Sequence, residues 1–411
     1  MSAFRSEFIQ TQIIDPVFNN NSRCVFRLPP LITLKRSVAL ADVQYSGGAG
    51  NLTLVGGISN LIKTISLRIG GTQVDYNNFV AITNTLQNLR TTATKALNMD
   101  KVNKKNKLDY KQALVAAAPV TNEFIVASNF GNQAHNTTGG LLYLNEFLKF
   151  FNATHNLDAP QEFLPLNLFG NASIELTIEW QTSPLVVSTA ANAITGINAP
   201  TLLMDCLDTS SPVYAALPSS ATLSFNRWEV ETLNYSAPAA AGDDVTVRER
   251  LNQVNNKFVT RLCILNQSNE ANADMGSVTK SRALPSEQIQ LILNGQQVLD
   301  FRSEDDAEKV MHFVNAWGDY ICPPGGRYYQ WAEAANVTAK NSIPAQQTAS
   351  PIVSNVSLFG CNIQQRVNYL ELDYQYSDDA TTPVAAGGNI NVIYETANAV
   401  NISNGVFSVV F

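Results

Sequence analysis

Apolar and polar positions alternate along much of the chain. Ile174, Leu176, Ile178 and Trp180 fall on one side of an extended segment, and Glu175, Thr177 and Glu179 on the other. Leu370, Leu372, Tyr374 and Tyr376 repeat this against Glu371, Asp373 and Gln375. A period of two predicts strands with one face in a core and one toward water. Further short strands are predicted at Cys24–Leu28, Ser37–Tyr45, Asn51–Gly56, Lys257–Leu265, Asn389–Glu395 and Gly405–Phe411, between clusters of Gly, Pro, Asn and Ser. The last of these predicts a C-terminus docked in a sheet.

Helical spacing stands out in two places. Behind Asn77-Asn78, which can cap a helix, Phe79, Ile82, Leu86 and Leu89 recur on one face. Behind Ser303, with Asp306 three residues on as a variant capping box, Val310, Phe313, Val314 and Trp317 form a second stripe.

Each predicted helix follows the same hairpin. Ile65, Leu67 and Ile69 lead into Gly70-Gly71 and then Gln73-Val74; Ile289, Leu291 and Leu293 lead into Asn294-Gly295 and then Gln297-Val298. Gly-Gly and Asn-Gly suit a two-residue turn whose central positions both need φ > 0. A second marker, Leu-Phe-Gly at 168–170 and at 358–360, precedes the two alternating strands. The two markers in the same order predict a duplicated chain, with halves at residues 1–224 and 225–411 and an insertion in the first at about 91–119. About eight short strands per half, joined by long loops, suit a two-layer sandwich. The expected fold is all-β: two tandem eight-stranded jelly rolls with short helices in loops.

Composition supports two large cores. The chain has 411 residues, of which 45% are hydrophobic and only 15% charged. Its net charge of −7 argues against a whole-chain preference for nucleic acid, which needs clustered Lys and Arg. Five scattered cysteines without a Cys-x-x-Cys pair suggest neither a disulfide framework nor a zinc site, and fit a reducing compartment. The start has no signal-peptide core, and Ala113–Val120 is far short of the roughly 20 residues that span a bilayer. The sequons at Asn51, Asn136 and Asn336 read as by-products of an Asn-rich composition.

Candidate chemistry is sparse. His135, His155 and His312 lack metal-ligand spacing, and no zincin, nucleophile-elbow or P-loop motif occurs. Gly242-Asp243-Asp244 reads as a flexible loop, and Glu304, Asp305, Asp306 and Glu308 as partners of a helix dipole. No catalytic, metal or cofactor residue is expected. Lys101, Lys104, Lys105, Lys107 and Lys111, with Lys95, form a basic stretch that reads as a solvated or partner-contact loop.

Phe26–Pro30 ("FRLPP") leading into Ser37–Tyr45, the hairpin Leu61–Val74 with its helix, Phe163–Trp180 with its Leu-Pro-Leu, and the closing Ile390–Phe411 carry a resemblance. Over nearly the whole chain the sequence resembles the double jelly-roll major capsid proteins of double-stranded DNA viruses, of the virophage and polinton-like type in the PRD1–adenovirus lineage. The resemblance rests on hydrophobic and turn patterns. It implies a structural protein without enzymatic activity, cofactor or small-molecule substrate. It also implies a homotrimer acting as a pseudo-hexameric capsomer of an icosahedral capsid, made in the host cell interior and located in the virion. Penton and minor capsid proteins would be partners, and the basic loop could meet one of them, an inner membrane or the genome. Two other classes stay open here: a β-rich viral spike or carbohydrate-binding protein, using Tyr328-Tyr329 to stack on sugars, and a β-sandwich glycoside hydrolase, whose two carboxylates need no motif.

Overall fold

Strand pairing sorts the chain into two sheets per half. The computed structural model describes residues 9–30, 32–47, 52–54, 58–90, 108–112, 122–126, 140–157, 161–181, 186–188, 194–215, 219–236, 238–240, 243–268, 287–299, 302–303, 306–318, 359–377 and 387–410. The first half contributes β1 (Ile9–Ile14), β2 (Phe18–Asn19), β3 (Arg23–Leu28), β4 (Thr33–Val43), β5 (Ile62–Ile69), β6 (Thr72–Asn77), β7 (Gly140–Tyr143), β8 (Thr154–His155), β9 (Phe163–Leu164), β10 (Ile174–Trp180) and β11 (Thr201–Leu207). Next come β12 (Ser220–Tyr235), β13 (Asp244–Arg250), β14 (Lys257–Ser268), β15 (Gln288–Leu293), β16 (Gln296–Gln297), β17 (Phe359–Val367), β18 (Leu370–Ser377), β19 (Gly388–Ser403) and β20 (Val406–Val410). Two helices, α1 (Val80–Arg90) and α2 (Asp306–Trp317), follow the hairpins.

Each half pairs a hairpin sheet with a facing sheet. The hairpin sheets run β2-β3-β10-β5-β6 and β13-β18-β15-β16. The facing sheets run β1-β11-β4-β7, with β9 also on β4, and β8-β12-β19-β14-β17, with β20 also on β19. The strands are antiparallel, and their alternation sets their faces. In β10, Leu176 lies between Phe26 and Leu67, and all three are fully buried. In β18, Leu372 lies opposite Leu291, and both are fully buried. Shorter pairs join Tyr45–Gly47 to Ile194–Ile197, Leu52–Leu54 to Val186–Ser188, and Leu108–Gln112 to Asn122–Val126.

The two hairpin turns match in backbone. Gly70 and Gly71 have φ of 54° and 83°, and Asn294 and Gly295 have 51° and 86°. Positive φ at both centres is the conformation that follows the strands' twist, and Gly adopts it at little steric cost.

The Leu-Phe-Gly marker does not match, which corrects the sequence alignment. Leu166–Phe169 is a 3-10 helix, whereas Phe359 and Gly360 open β17. Phe359 and Gly360 stand opposite Ile264 and Cys263, as Leu142 and Tyr143 stand opposite Leu40 and Ala39. At the other end, Gln365 opposes Val259 as Phe163 opposes Lys35. One strand of the second half is therefore split in the first into β7 and β9, around residues 144–162. Most of the expected insertion at 91–119 lies outside the described residues, but 144–162 is a further one.

The helices also differ from expectation in detail. The Asn77 carboxamide oxygen accepts the Phe79 N–H at 3.0 Å, and its NH2 group donates to the Thr83 hydroxyl at 2.8 Å. Thr83, Asn84 and Leu86 are buried, while Phe79, predicted on the apolar stripe, is exposed because it precedes the first helical turn. Ser303 exchanges two backbone hydrogen bonds with Ile289, so it extends the sheet at the place where a cap was expected. Phe313, Ala316 and Trp317 of α2 are buried.

Two long strands join the halves. β12 and β19 pair from Ser220–Ser403 to Tyr235–Gly388. One end, with Leu223, Phe225, Val400 and Ile402, belongs to the first core; the other, with Tyr235, Val392 and Tyr394, belongs to the second. Residue 224 thus falls inside a strand. β20 continues into the first half, where the Phe407 ring meets Phe169 edge-on at 5.2 Å.

Candidate functional site

A group of buried charges lies at the seam between the halves. One face of the second facing sheet closes the second core. The other carries Trp228, Val230, Cys263, Leu265 and Ile393, covered by Leu86 of α1 and by Phe313, Ala316 and Trp317 of α2. α2 sits very close to β17: a Cβ on Gly360 would lie 2.9 Å from the Phe313 Cα and 2.9 Å from the Trp317 Cδ1. The Trp317 indole donates to the Leu262 carbonyl at 2.7 Å and meets Trp228 edge-on at 5.7 Å.

Two ionic clusters flank this apolar layer. Glu229 accepts from Arg227 at 2.6 Å and from Lys257 at 2.5 Å, with Arg227 and Glu229 both buried. The Arg227 guanidinium stacks 4.5 Å above the Tyr76 ring of β6. Glu395 accepts from Arg261 at 2.5 Å, from the Thr260 hydroxyl at 3.0 Å and from the Trp228 indole at 3.1 Å. Arg261 also donates to the Ala316 carbonyl at 2.9 Å and lies 4.5 Å over Trp317. Each carboxylate here is charge-neutralised and hydrogen-bonded, the condition for burying an ion without a large penalty.

Asp75 joins β6 to the insertion. Its carboxylate accepts the Tyr76 and Phe150 N–H groups, each at 2.8 Å. Burial pushes its pKa up to about 6, opposed by the Phe150 hydrogen bond and by the charges of Arg227 and Lys149. Lys149 extends over the Trp228 ring at 3.8 Å and donates to the Glu146 carbonyl at 2.6 Å. The insertion therefore laces the first half to β12, and β8 pairs with it directly.

A separate buried network lies behind α2. Lys309 and Glu287 pair at 2.9 Å, each nearly inaccessible. Tyr374 donates to Glu287, Asn266 donates to the Tyr374 oxygen at 3.1 Å, and Tyr235 donates to Asn266 at 2.8 Å. Burial first, then the Glu287 charge, hold the Tyr374 phenol well above its ordinary range. Burial likewise pushes the Cys24 thiol up to about 12 and those of Cys206 and Cys361 to about 11, so these sulfurs are poor nucleophiles. Among the described residues, no group of three His, Cys, Asp or Glu is placed to hold a metal ion. No helix among them is long and apolar enough to cross a membrane.

The candidate residues fall in several places. Gly70, Gly71, Asn294 and Gly295 occupy the hairpin turns. Lys101, Lys104, Lys105 and Lys107, together with Glu304, Asp305 and Tyr328-Tyr329, lie outside the described residues, as does the side chain of Lys111. Asp244, read as loop, opens β13, and Asp243 accepts the Ala240 N–H at 2.9 Å. His155 is buried beside Gln161, and His312 lies 3.4 Å from Glu308 and against the Phe359 ring. The seam charges went unread in sequence. Their signal is a charge at an inward position of a long strand, as at Arg227, Glu229 and Glu395.

Comparison with known proteins gives a result at the level of the fold. No family model and no curated protein matches the sequence. Among solved structures, VP54 of PBCV-1, fitted into a reconstruction of the virophage Sputnik, matches 100% of this chain over 99% of its own length, with a TM-score of 0.60 and 14% identity. The 3.5 Å structure of the Sputnik virophage matches 98% of this chain over 88% of its own, with a TM-score of 0.60 and 12% identity. The mavirus major capsid protein matches 100% over 91%, with a TM-score of 0.53 and 11% identity. The chain has their fold, the double jelly roll.

Proposed function

We propose that this double jelly-roll chain is the major capsid protein of a double-stranded DNA virus. It acts by self-assembly without catalysis. The observation that carries the reading is the likeness from end to end to capsid proteins, over nearly the full length of each. The seam supports it. Two rolls locked by common strands, buried ion pairs and an inserted loop form a rigid block, as a lattice subunit requires.

In this reading the halves 1–224 and 225–411 are quasi-equivalent rolls, and the continuous β12 is where one passes into the other. Three chains bring six rolls around an axis, so a homotrimer fills a hexagonal lattice position. Penton and minor capsid proteins complete the shell, and the loop of Lys101, Lys104, Lys105, Lys107 and Lys111 is a candidate contact for one of them. Light scattering on the purified protein should give three times the 44.8 kDa of the chain, and negative-stain images should show hexagonal outlines. A stable monomer at high concentration would overturn the reading.

A further inference from the structure

The sequence contains two Asn-Gly pairs, and both fall in the same kind of turn. Asn294-Gly295 joins β15 to β16, with Leu293 opposite Gln296. Asn404-Gly405 joins β19 to β20, with Ser403 opposite Val406. The central φ angles are 51° and 86° in the first turn and 52° and 80° in the second. Each asparagine N–H donates to a carbonyl of another segment, Asn294 to Tyr369 at 2.8 Å and Asn404 to Ser219 at 2.9 Å. In backbone the two turns are copies.

Their carboxamides are held differently. The Asn294 oxygen accepts the Asn368 and Tyr369 N–H groups, each at 3.0 Å, and its NH2 group donates to the Arg366 carbonyl at 3.4 Å. The Asn404 carboxamide has no hydrogen-bond partner among the described residues, and both Asn404 and Gly405 are exposed.

The difference bears on a reaction of Asn-Gly pairs with water. The Gly backbone nitrogen, its proton taken by hydroxide, attacks the Asn Cγ. The new C–N bond closes a succinimide ring, and the carboxamide nitrogen leaves as ammonia. Water then adds to one ring carbonyl and breaks its bond to nitrogen, leaving aspartate or isoaspartate; nothing is oxidised or reduced. Gly favours the attack because no Cβ shields its nitrogen. The carboxamide must swing onto that nitrogen, and a tethered one resists.

We infer that Asn404 is a site of spontaneous deamidation, and that the hydrogen bonds of Asn294 protect it from the same reaction. The co-reactant is water. This goes beyond the capsid reading and does not depend on it. The product matters because of where the turn lies: Val400 and Ile402 belong to the first core, and Phe407 packs on Phe169. Aspartate puts a charge where the turn was neutral. Isoaspartate adds a methylene to the main chain, which a two-residue turn accommodates only by shifting its strands. The hairpin that completes the first half therefore carries a slow chemical clock.

The test ages the full chain at mildly alkaline pH in water enriched in heavy oxygen, followed by peptide mass mapping. Solvent oxygen enters only when the ring opens, so it marks the residues that reacted during ageing. Residue 404 should react at least about tenfold faster than residue 294. Its rate should rise with pH, because the attacking nitrogen must lose a proton. In denaturant, where the tether is gone, the two rates should converge. A folded ratio below about tenfold, or one that persists in denaturant, would overturn the assignment and leave the capsid reading standing.

Discussion

The two halves share a strand order but differ in what fills the space around it. The hairpin sheets share four strands in the same order, with β2 added at the edge of the first, and their turns have nearly the same φ values. The second half keeps its helix on its own sheet, over Gly360, and encloses the Lys309–Glu287 pair beneath it. The first half sends Leu86 of its helix and Lys149 of the 144–162 insertion to the neighbouring half, while Phe147, Leu148, Phe150 and Phe151 of that insertion stay in its own core. Backbone geometry at turns and strand registers tolerates little change, because one shifted residue turns every side chain to the wrong face. The outer faces are free to diverge, and here they divide the work: one closes on itself and the other reaches outward.

Breaking the second half's private network should have the largest effect. Lys309→Met leaves the Glu287 carboxylate buried without its cation, which typically costs about 3–5 kcal/mol. Denaturant unfolding should show that loss, and a loss below about 1 kcal/mol would mean that Tyr374 alone satisfies Glu287.

At the first half's crossing the expected effect depends on pH. Asp75 titrates at about 6 when folded, against an ordinary 3.8. The folded chain thus holds the proton more tightly, so the contribution of Asp75 to stability is fully present below about 4 and is lost as pH rises through about 6. The full change is about 2–3 kcal/mol by the usual conversion. Asp75→Asn should lack this slope when unfolding free energies are compared between about pH 4 and 7. Parallel curves for the two proteins would place the ionised carboxylate in a better-solvated site than the one described.

The smallest effect tests the likeness itself. Gly71→Ala and Gly295→Ala each place a side chain at positive φ with no atom within 4 Å of the new Cβ, so backbone strain alone should cost about 1–2 kcal/mol. The two losses should agree within about 0.5 kcal/mol in denaturant melts. A clear difference would mean that the two turns are held by different surroundings.

Much of this comparison was legible in sequence, for reasons particular to each element. Gly70-Gly71 and Asn294-Gly295 announce their turns because few residues adopt that backbone, and Ile174–Trp180 announces a strand because each second side chain must be apolar. Leu-Phe-Gly misled because three letters do not fix a register, and the inserted residues 144–162 had displaced one copy from the other. The seam offered only a charge at an inward strand position, and that did not name its partner. Trp228 meets Glu395, and Asp75 meets Phe150, across long stretches of chain, and a charge in a strand does not reveal whether it faces water or a partner. Phe79 shows the same limit on a smaller scale: a helical stripe does not say where the helix begins.

The reach of β19 and β20 has a consequence for how the molecule comes into being. Val400, Ile402 and Phe407 are wall material for the first core, yet they are translated after the whole of residues 1–224. Until they arrive, the half that left the ribosome first stands with a side missing. The chain's order of synthesis and its order of completion therefore run in opposite directions, and what is begun first is sealed last.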